Sequence, residues 1–148
     1  MNSTALHTIL YVEDDARVRD LLKMALELIG RFDVIGCGSG RAALAAASAC
    51  EPDLILLDAM MPGFDGVSML TLLRRVPQLA RCPVIFATGH SAQWNVEHYL
   101  ATGAIGLIAK PLDPMRVVAQ LYRLWQRAGA EHGCAPRREQ TVSMAAPS

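Results

Sequence analysis

Acidic, hydroxyl and amine groups stand at four places where short apolar runs end. Glu13-Asp14-Asp15 follows His7–Val12, and Asp58 follows Leu54–Leu57. Thr88-Gly89 follows Val84–Ala87, and Lys110-Pro111 follows Ala104–Ala109. Gathered in one place, these groups suit phosphoryl transfer through an aspartyl phosphate. That chemistry needs a carboxylate nucleophile, a divalent cation, and positive charge with donors for the phosphoryl oxygens. Carboxylate and carbonyl oxygens suit Mg²⁺ far better than a soft transition metal. Three carboxylates at one point repel each other, and a divalent cation that joins them removes the repulsion.

Asp58 is the candidate nucleophile, because it is single and is followed by a loop rather than by more acid. Glu13 and Asp14 would hold the metal. Lys110 and the metal would offset charge on the transferring group, and Thr88 would bind a phosphoryl oxygen once Asp58 is modified. Plainer uses compete with these. Acid before a helix commonly caps it; Asp15 is read as such a cap, and Glu13 with Asp14 alone would fit either use. Lys110 alone would pass for a snorkelling surface lysine. A carboxylate at the exit of a buried strand, Asp58, favours a site.

The elements that must position these groups alternate. The runs named above, with Phe32–Gly36, are short and near-continuously apolar, as strands buried on both faces are. Helical patterns lie between them. Val18, Leu21, Leu22, Ala25 and Ile29 recur at helical spacing after Asp15, and Gly30 is read as a left-handed stop. Arg41–Cys50 is nearly all alanine, Val67–Arg75 is a short helix that Pro77 helps to end, and Ala92–Thr102 is closed by Gly103. Asp113-Pro114 starts a last helix, whose buried side is Val117, Val118, Leu121, Leu124 and Trp125. This alternation predicts an α/β fold, a doubly wound five-stranded parallel sheet with helices on both faces. In such sheets ligands bind at the carboxyl ends of the strands, near the point where strand order reverses. Strands one and three are neighbours there in the flavodoxin-like order, so Glu13, Asp14 and Asp58 converge although distant in sequence.

Composition sets the bounds. The chain has 148 residues, enough for one domain with its own core. Hydrophobic residues are 52% and charged residues 19%, which excludes a wholly disordered chain. Lys+Arg and Asp+Glu are 14 each, a balance that argues against direct nucleic-acid binding. Neither a signal peptide nor a bilayer-spanning run is recognisable. Cys37, Cys50, Cys82 and Cys134 show no metal-site spacing and are read as reduced thiols, three of them buried, in a cytoplasmic protein. Residues 5–128 are expected to form the domain, and residues 129–148, which lack an apolar period, a flexible tail.

Together these residues resemble the response-regulator receiver domains of two-component signalling, over about residues 7–128. The resemblance rests on Val12-Glu13-Asp14-Asp15, the run Asp58-Ala59-Met60-Met61-Pro62-Gly63-Phe64-Asp65-Gly66, Ala87-Thr88-Gly89 and Lys110-Pro111. It implies that Asp58 is the phosphoacceptor and that Glu13 and Asp14 hold Mg²⁺, Glu13 through water. The backbone carbonyl of Met60 would be a further ligand, Thr88 the switch hydroxyl, and Lys110 the phosphoryl-binding lysine. It implies strand order 2-1-3-4-5. The phosphodonor would be a sensor histidine kinase or a histidine phosphotransfer protein, docking near the first helix. The reader would be an unidentified downstream protein, with a phosphorylation-dependent second copy of the chain as a further candidate. The expected protein has no DNA-binding output domain and no membrane contact. It is no enzyme beyond assisting its own phosphorylation and dephosphorylation.

One departure stands out. Many receivers carry Tyr or Phe three residues before the lysine, where this chain has Leu107. The switch is then expected to be read through the loop after Thr88 and the fourth helix. Met60 and His90, two residues after Asp58 and Thr88, occupy positions that govern water access; Met60 should shield the acyl phosphate, and His90 is read as a surface residue. If Val96 and Leu100 face the sheet, Trp94 and His98 share the outer face of that helix, with Trp94 either a docking anchor or folded over a loop.

Rival readings fit less well. A dehalogenase-type phosphatase needs an acid two residues after its nucleophile, where Met60 stands. Gly89-His90-Ser91-Ala92-Gln93 half-matches a hydrolase elbow but lacks the final Gly. A flavin or nucleotide binder would offer glycines, not acid, at the first turn. A degenerate receiver that only binds proteins is the remaining alternative.

Overall fold

The computed structural model describes residues 5–89 and 96–132. Five strands form one parallel sheet: β1 (Thr8–Val12), β2 (Asp33–Cys37), β3 (Leu54–Asp58), β4 (Val84–Thr88) and β5 (Gly106–Ala109). Their order is β2-β1-β3-β4-β5, as expected. The strands are joined by α1 (Ala16–Leu28), α2 (Gly40–Ala47), α3 (Gly66–Leu73) and α4 (Val96–Leu100), and α5 (Val117–His132) follows β5. A two-residue antiparallel pair, Met60–Met61 with Phe64–Asp65, lies between β3 and α3.

The sheet is sandwiched between two apolar clusters. Leu10, Val12, Ile55, Leu57, Val84 and Phe86 face one cluster, which takes Met69, Leu70 and Leu73 from α3. Ile9, Tyr11, Leu54, Leu56 and Ile85 face the other, which takes Leu22 and Leu26 from α1 and Val117 and Leu121 from α5. Residues two apart on a strand share a face, so every strand divides its side chains between the clusters. Leu54 to Leu57 are fully buried, which explains the unbroken apolar run in β3.

Local details correct three expectations. First, α1 buries Leu22, Ala25 and Leu26, whereas Leu21 and Ile29 are half exposed. Second, the left-handed residue after α1 is Arg31, at φ 60°, not Gly30. The amides of Arg31 and Phe32 close the helix by donating to the carbonyls of Glu27 (3.1 Å) and Leu26 (3.2 Å). Gly30 serves close packing instead: a Cβ there would lie 2.5 Å from the Phe32 ring and 2.9 Å from the Leu26 carbonyl. Third, Val96 and Leu100 are exposed, and Tyr99 is the residue of α4 that turns inward, 5.0 Å from the Phe86 ring. Gly103 closes α4 at φ 95° as expected.

Asp113 opens a turn before α5, accepting from the Met115 amide (2.8 Å), and the regular helix starts at Val117. It runs to His132, so the expected boundary at 128 falls inside it. Val117 and Leu121 are buried, and Val118, Leu124 and Trp125 pack against the same cluster. Of the cysteines, Cys37 and Cys82 are buried and Cys50 is partly so. Cys134, the segment 133–148, His90 and Trp94 lie outside the described residues.

Gly66 links the fold to the strand end that carries Asp58. Its amide donates to the Ala59 carbonyl at 2.7 Å. A Cβ at this position would lie 2.8 Å from the Ala59 Cα and 3.0 Å from the Asp58 carbonyl, both backbone. Gly66→Ala must therefore shift β3 or α3. It is expected to destabilise the fold by about 1–3 kcal/mol. Urea unfolding measures this, and an unchanged midpoint would contradict it.

Candidate functional site

The chain turns from strand to helix or loop at the carboxyl ends of β1, β3, β4 and β5, and the polar residues sit at those turns. At the end of β1, Glu13 is buried while Asp14 and Asp15 are exposed. Asp15 is the N-cap of α1, and its carboxylate accepts from the amides of Arg17 (2.9 Å) and Val18 (3.3 Å), as expected. Glu13 is held by its neighbours. Its amide donates to the Cys37 carbonyl (2.9 Å), its carbonyl accepts from Arg19 Nη1 (2.8 Å), and its Oε2 accepts from the Asp15 amide (3.1 Å). At the end of β3, Asp58 is 2% exposed, and its Oδ1 accepts from the Met60 amide at 3.1 Å.

Lys110 joins the two strand ends. Its Nζ lies 3.0 Å from Asp58 Oδ2 and 3.9 Å from Glu13 Oε1. Its amide donates to the Thr88 carbonyl (2.6 Å), and the bond to Pro111 is cis. Thr88 is buried at the end of β4, paired with Ala109 of β5. Among the described residues no hydrogen bond joins its hydroxyl to Asp58 or Lys110. Met60 stands at the rim with its side chain exposed. Thus Glu13, Asp58 and Lys110 meet through their side chains, and Thr88 meets Lys110 through backbone.

Glu13, Asp14 and Asp58 each offer a carboxylate oxygen, all within 4.8 Å of one another. These donors fit a hard divalent cation. Glu13 Oε1 supports the fit: it is sealed from solvent and has no hydrogen-bond partner among the described residues. Burial pushes the Glu13 carboxyl above the usual range; the Asp15 amide opposes this, the charge of Asp58 adds to it, and Lys110 opposes it. For Lys110, partial burial works against the ammonium. The hydrogen bond to Asp58 and the charges of Asp58, Glu13 and Asp14 outweigh that, and its pKa sits above the ordinary lysine value. The lysine is therefore cationic throughout the physiological range.

Three roles were not assigned from sequence. Arg19 lies along β2, where a Cβ at Gly38 would approach its Nη1 to 2.8 Å, so the glycines of Gly36-Cys37-Gly38 were the signal for a long side chain crossing the strand. Asp65 caps α3, accepting from the Ser68 amide (2.9 Å) and hydroxyl (3.1 Å), which hold its carboxyl below the usual range. The Tyr11 hydroxyl is buried, with no hydrogen-bond partner among the described residues.

Known proteins share this arrangement. The sequence profile described as "Response regulator receiver domain" matches residues 9–122. The chain is 34% identical to the phosphate regulon transcriptional regulatory protein PhoB of Pseudomonas aeruginosa, over 87% of this chain and 56% of that protein. It is 35% identical to the transcriptional regulatory protein CseB of Streptomyces avermitilis, over 94% of this chain and 57% of that one. The chain thus spans about half the length of these curated relatives. Among solved structures, the Vibrio cholerae chemotaxis protein CheY4 superposes with a TM-score of 0.73 at 28% identity, over 81% of this chain and 99% of that one. A parallel sheet in the same order, an acidic pocket at the ends of β1 and β3, and a profile match across nearly the whole described fold agree: this chain belongs to the response regulator receiver domain family of two-component signalling.

Proposed function

We propose that Asp58 accepts a phosphoryl group from a phosphohistidine, with Mg²⁺ held by Glu13, Asp14, Asp58 and the Met60 carbonyl. The observation that carries this reading is the buried Asp58 carboxylate, 3.0 Å from a lysine ammonium and within 4.8 Å of two further carboxylates. A carboxylate oxygen of Asp58 attacks phosphorus, and the bond from phosphorus to the histidine nitrogen breaks. The nitrogen keeps the electron pair and later takes a proton from solvent. Bound Mg²⁺ would supply Lewis-acid charge next to the phosphoryl oxygens. Lys110 offers a fixed cation to those oxygens, and Thr88 a hydroxyl one strand away. The apolar Met60, two residues after Asp58 and exposed at the rim, would limit the approach of water, which would otherwise hydrolyse the acyl phosphate. The chain assists only its own phosphorylation and dephosphorylation.

The donor is a sensor histidine kinase or a histidine phosphotransfer protein, and phosphorylation switches the binding of a downstream protein. No helix among the described residues is long and apolar enough to cross a membrane. Action in the cytoplasm is in keeping with the receiver family.

The switch runs through α4. Leu107 is partly buried and packs against the cluster that holds Phe86 and Tyr99, so α4 supplies an aromatic to this face through Tyr99. Beryllofluoride with Mg²⁺, followed by backbone chemical shifts, tests both statements. Saturable shifts at Asp58, Thr88 and Lys110 are expected, with further shifts over Val96–Ala101. No binding would support the degenerate, protein-binding receiver instead. Binding with shifts centred on Leu107 that spare Val96–Ala101 would reject the route through α4.

A further inference from the structure

Two polar atoms at this end of the sheet are sealed from solvent and lack a hydrogen-bond partner among the described residues: the Tyr11 hydroxyl and Glu13 Oε1, which Lys110 Nζ approaches only to 3.9 Å. A buried unpaired polar group costs about 1–3 kcal/mol, and native proteins keep few of them. Tyr11 is 1% exposed, so its ring is fully packed, and phenylalanine would fill that space without the penalty. The hydroxyl therefore calls for a use.

Its placement suggests one. Tyr11 pairs with Leu56 across the sheet, and both belong to the cluster between the sheet, α1 and α5. Strand alternation puts Glu13, two residues after Tyr11, and Asp58, two after Leu56, on that same face. The two atoms are complementary, since a phenol donates and a carboxylate oxygen accepts. A phenol carries its proton at neutral pH and is thus a standing donor beside carboxylates.

We propose that Tyr11 is a positioning residue for the metal site, its hydroxyl linked to Glu13 Oε1 through one buried water so that the carboxylate is aimed at the bound cation. Buried water is retained where it joins buried polar groups that lack other partners. Partners that orient a metal-binding carboxylate typically contribute about 10–100-fold in metal affinity. This inference rests on the Mg²⁺ reading above.

Calorimetric titration with Mg²⁺ and urea unfolding in chelator test it on the wild type and Tyr11→Phe. The variant is expected to bind Mg²⁺ about tenfold more weakly while unfolding at the same or a higher urea concentration without metal. A residue that merely supports the fold would lower both. In a Glu13→Ala background the same substitution is expected to change affinity less than about twofold, because the acceptor of the shared link is gone. Equal Mg²⁺ affinity of the wild type and Tyr11→Phe, or full additivity with Glu13→Ala, would overturn the role of Tyr11 alone. A wild type that binds no Mg²⁺ would overturn the metal reading and this inference with it.

Discussion

Asp58→Asn is expected to take up no phosphoryl group from acetyl phosphate under conditions where the wild type is fully modified. The carboxamide is neutral and weakly nucleophilic, so it cannot form the acyl phosphate. Glu13 cannot replace it, because its Oε2 is engaged by the Asp15 amide and its Oε1 lies 3.9 Å from Lys110 Nζ, against 3.0 Å for Asp58 Oδ2. Asp14 is exposed and lacks the lysine contact that Asp58 has. Loss of a nucleophile that acts as part of a unit typically costs 10⁴-fold or more, which is about the detection floor of a labelling assay. The substitution also removes one of three converging charges, so Mg²⁺ binds more weakly. Phosphoryl uptake at a substantial fraction of the wild-type rate would mean that another residue is the acceptor.

Lys110→Ala is expected to slow uptake by about 10²–10³-fold, the usual cost of removing one donor aimed at developing charge. Its ammonium is fixed from both ends. The side chain spans Asp58 and Glu13, and its amide is tied to Thr88. Little reorganisation is needed when negative charge gathers on the transferring group. Mg²⁺ binding should move the other way. With the ammonium gone, the carboxylates of Glu13, Asp14 and Asp58 keep their full mutual repulsion, and a divalent cation relieves more of it. The pair of opposite signs, slower chemistry with equal or tighter metal binding, distinguishes a lost phosphoryl contact from a collapsed site. Stopped-flow uptake and calorimetry read the two quantities. An uptake rate within about threefold of wild type would refute the role of Lys110.

Most of the sheet was legible because buried parallel strands are short and uniformly apolar. The five runs ending near Val12, Gly36, Leu57, Ala87 and Ala109 each coincide with a strand to within two residues. The site followed from the same feature, since a charged residue directly after a buried strand has only the strand's carboxyl end to occupy. Helix faces were harder. α1 carries apolar residues on more than one face, and Leu21, Met24 and Leu28 are exposed while Leu22 and Leu26 are buried. Periodicity alone does not choose between those rows; docking on β1 and β2 does. Among the described residues α4 covers only five, too few for a period, and its inward residue is the one that meets the ring of Phe86. Arg31 took the left-handed position because Gly30 was needed for contact with Phe32. Tyr11 read as one more core residue in β1, since nothing in its neighbours reveals where its hydroxyl goes.

The central claim is that Asp58 accepts a phosphoryl group in a metal-dependent site. Intact-mass spectrometry of the wild type after acetyl phosphate and Mg²⁺, with a chelator control, tests it most directly. The expected result is one phosphoryl adduct, absent with chelator, that maps after borohydride reduction to the peptide containing Asp58. An adduct that forms equally in chelator, or that maps elsewhere, would contradict it.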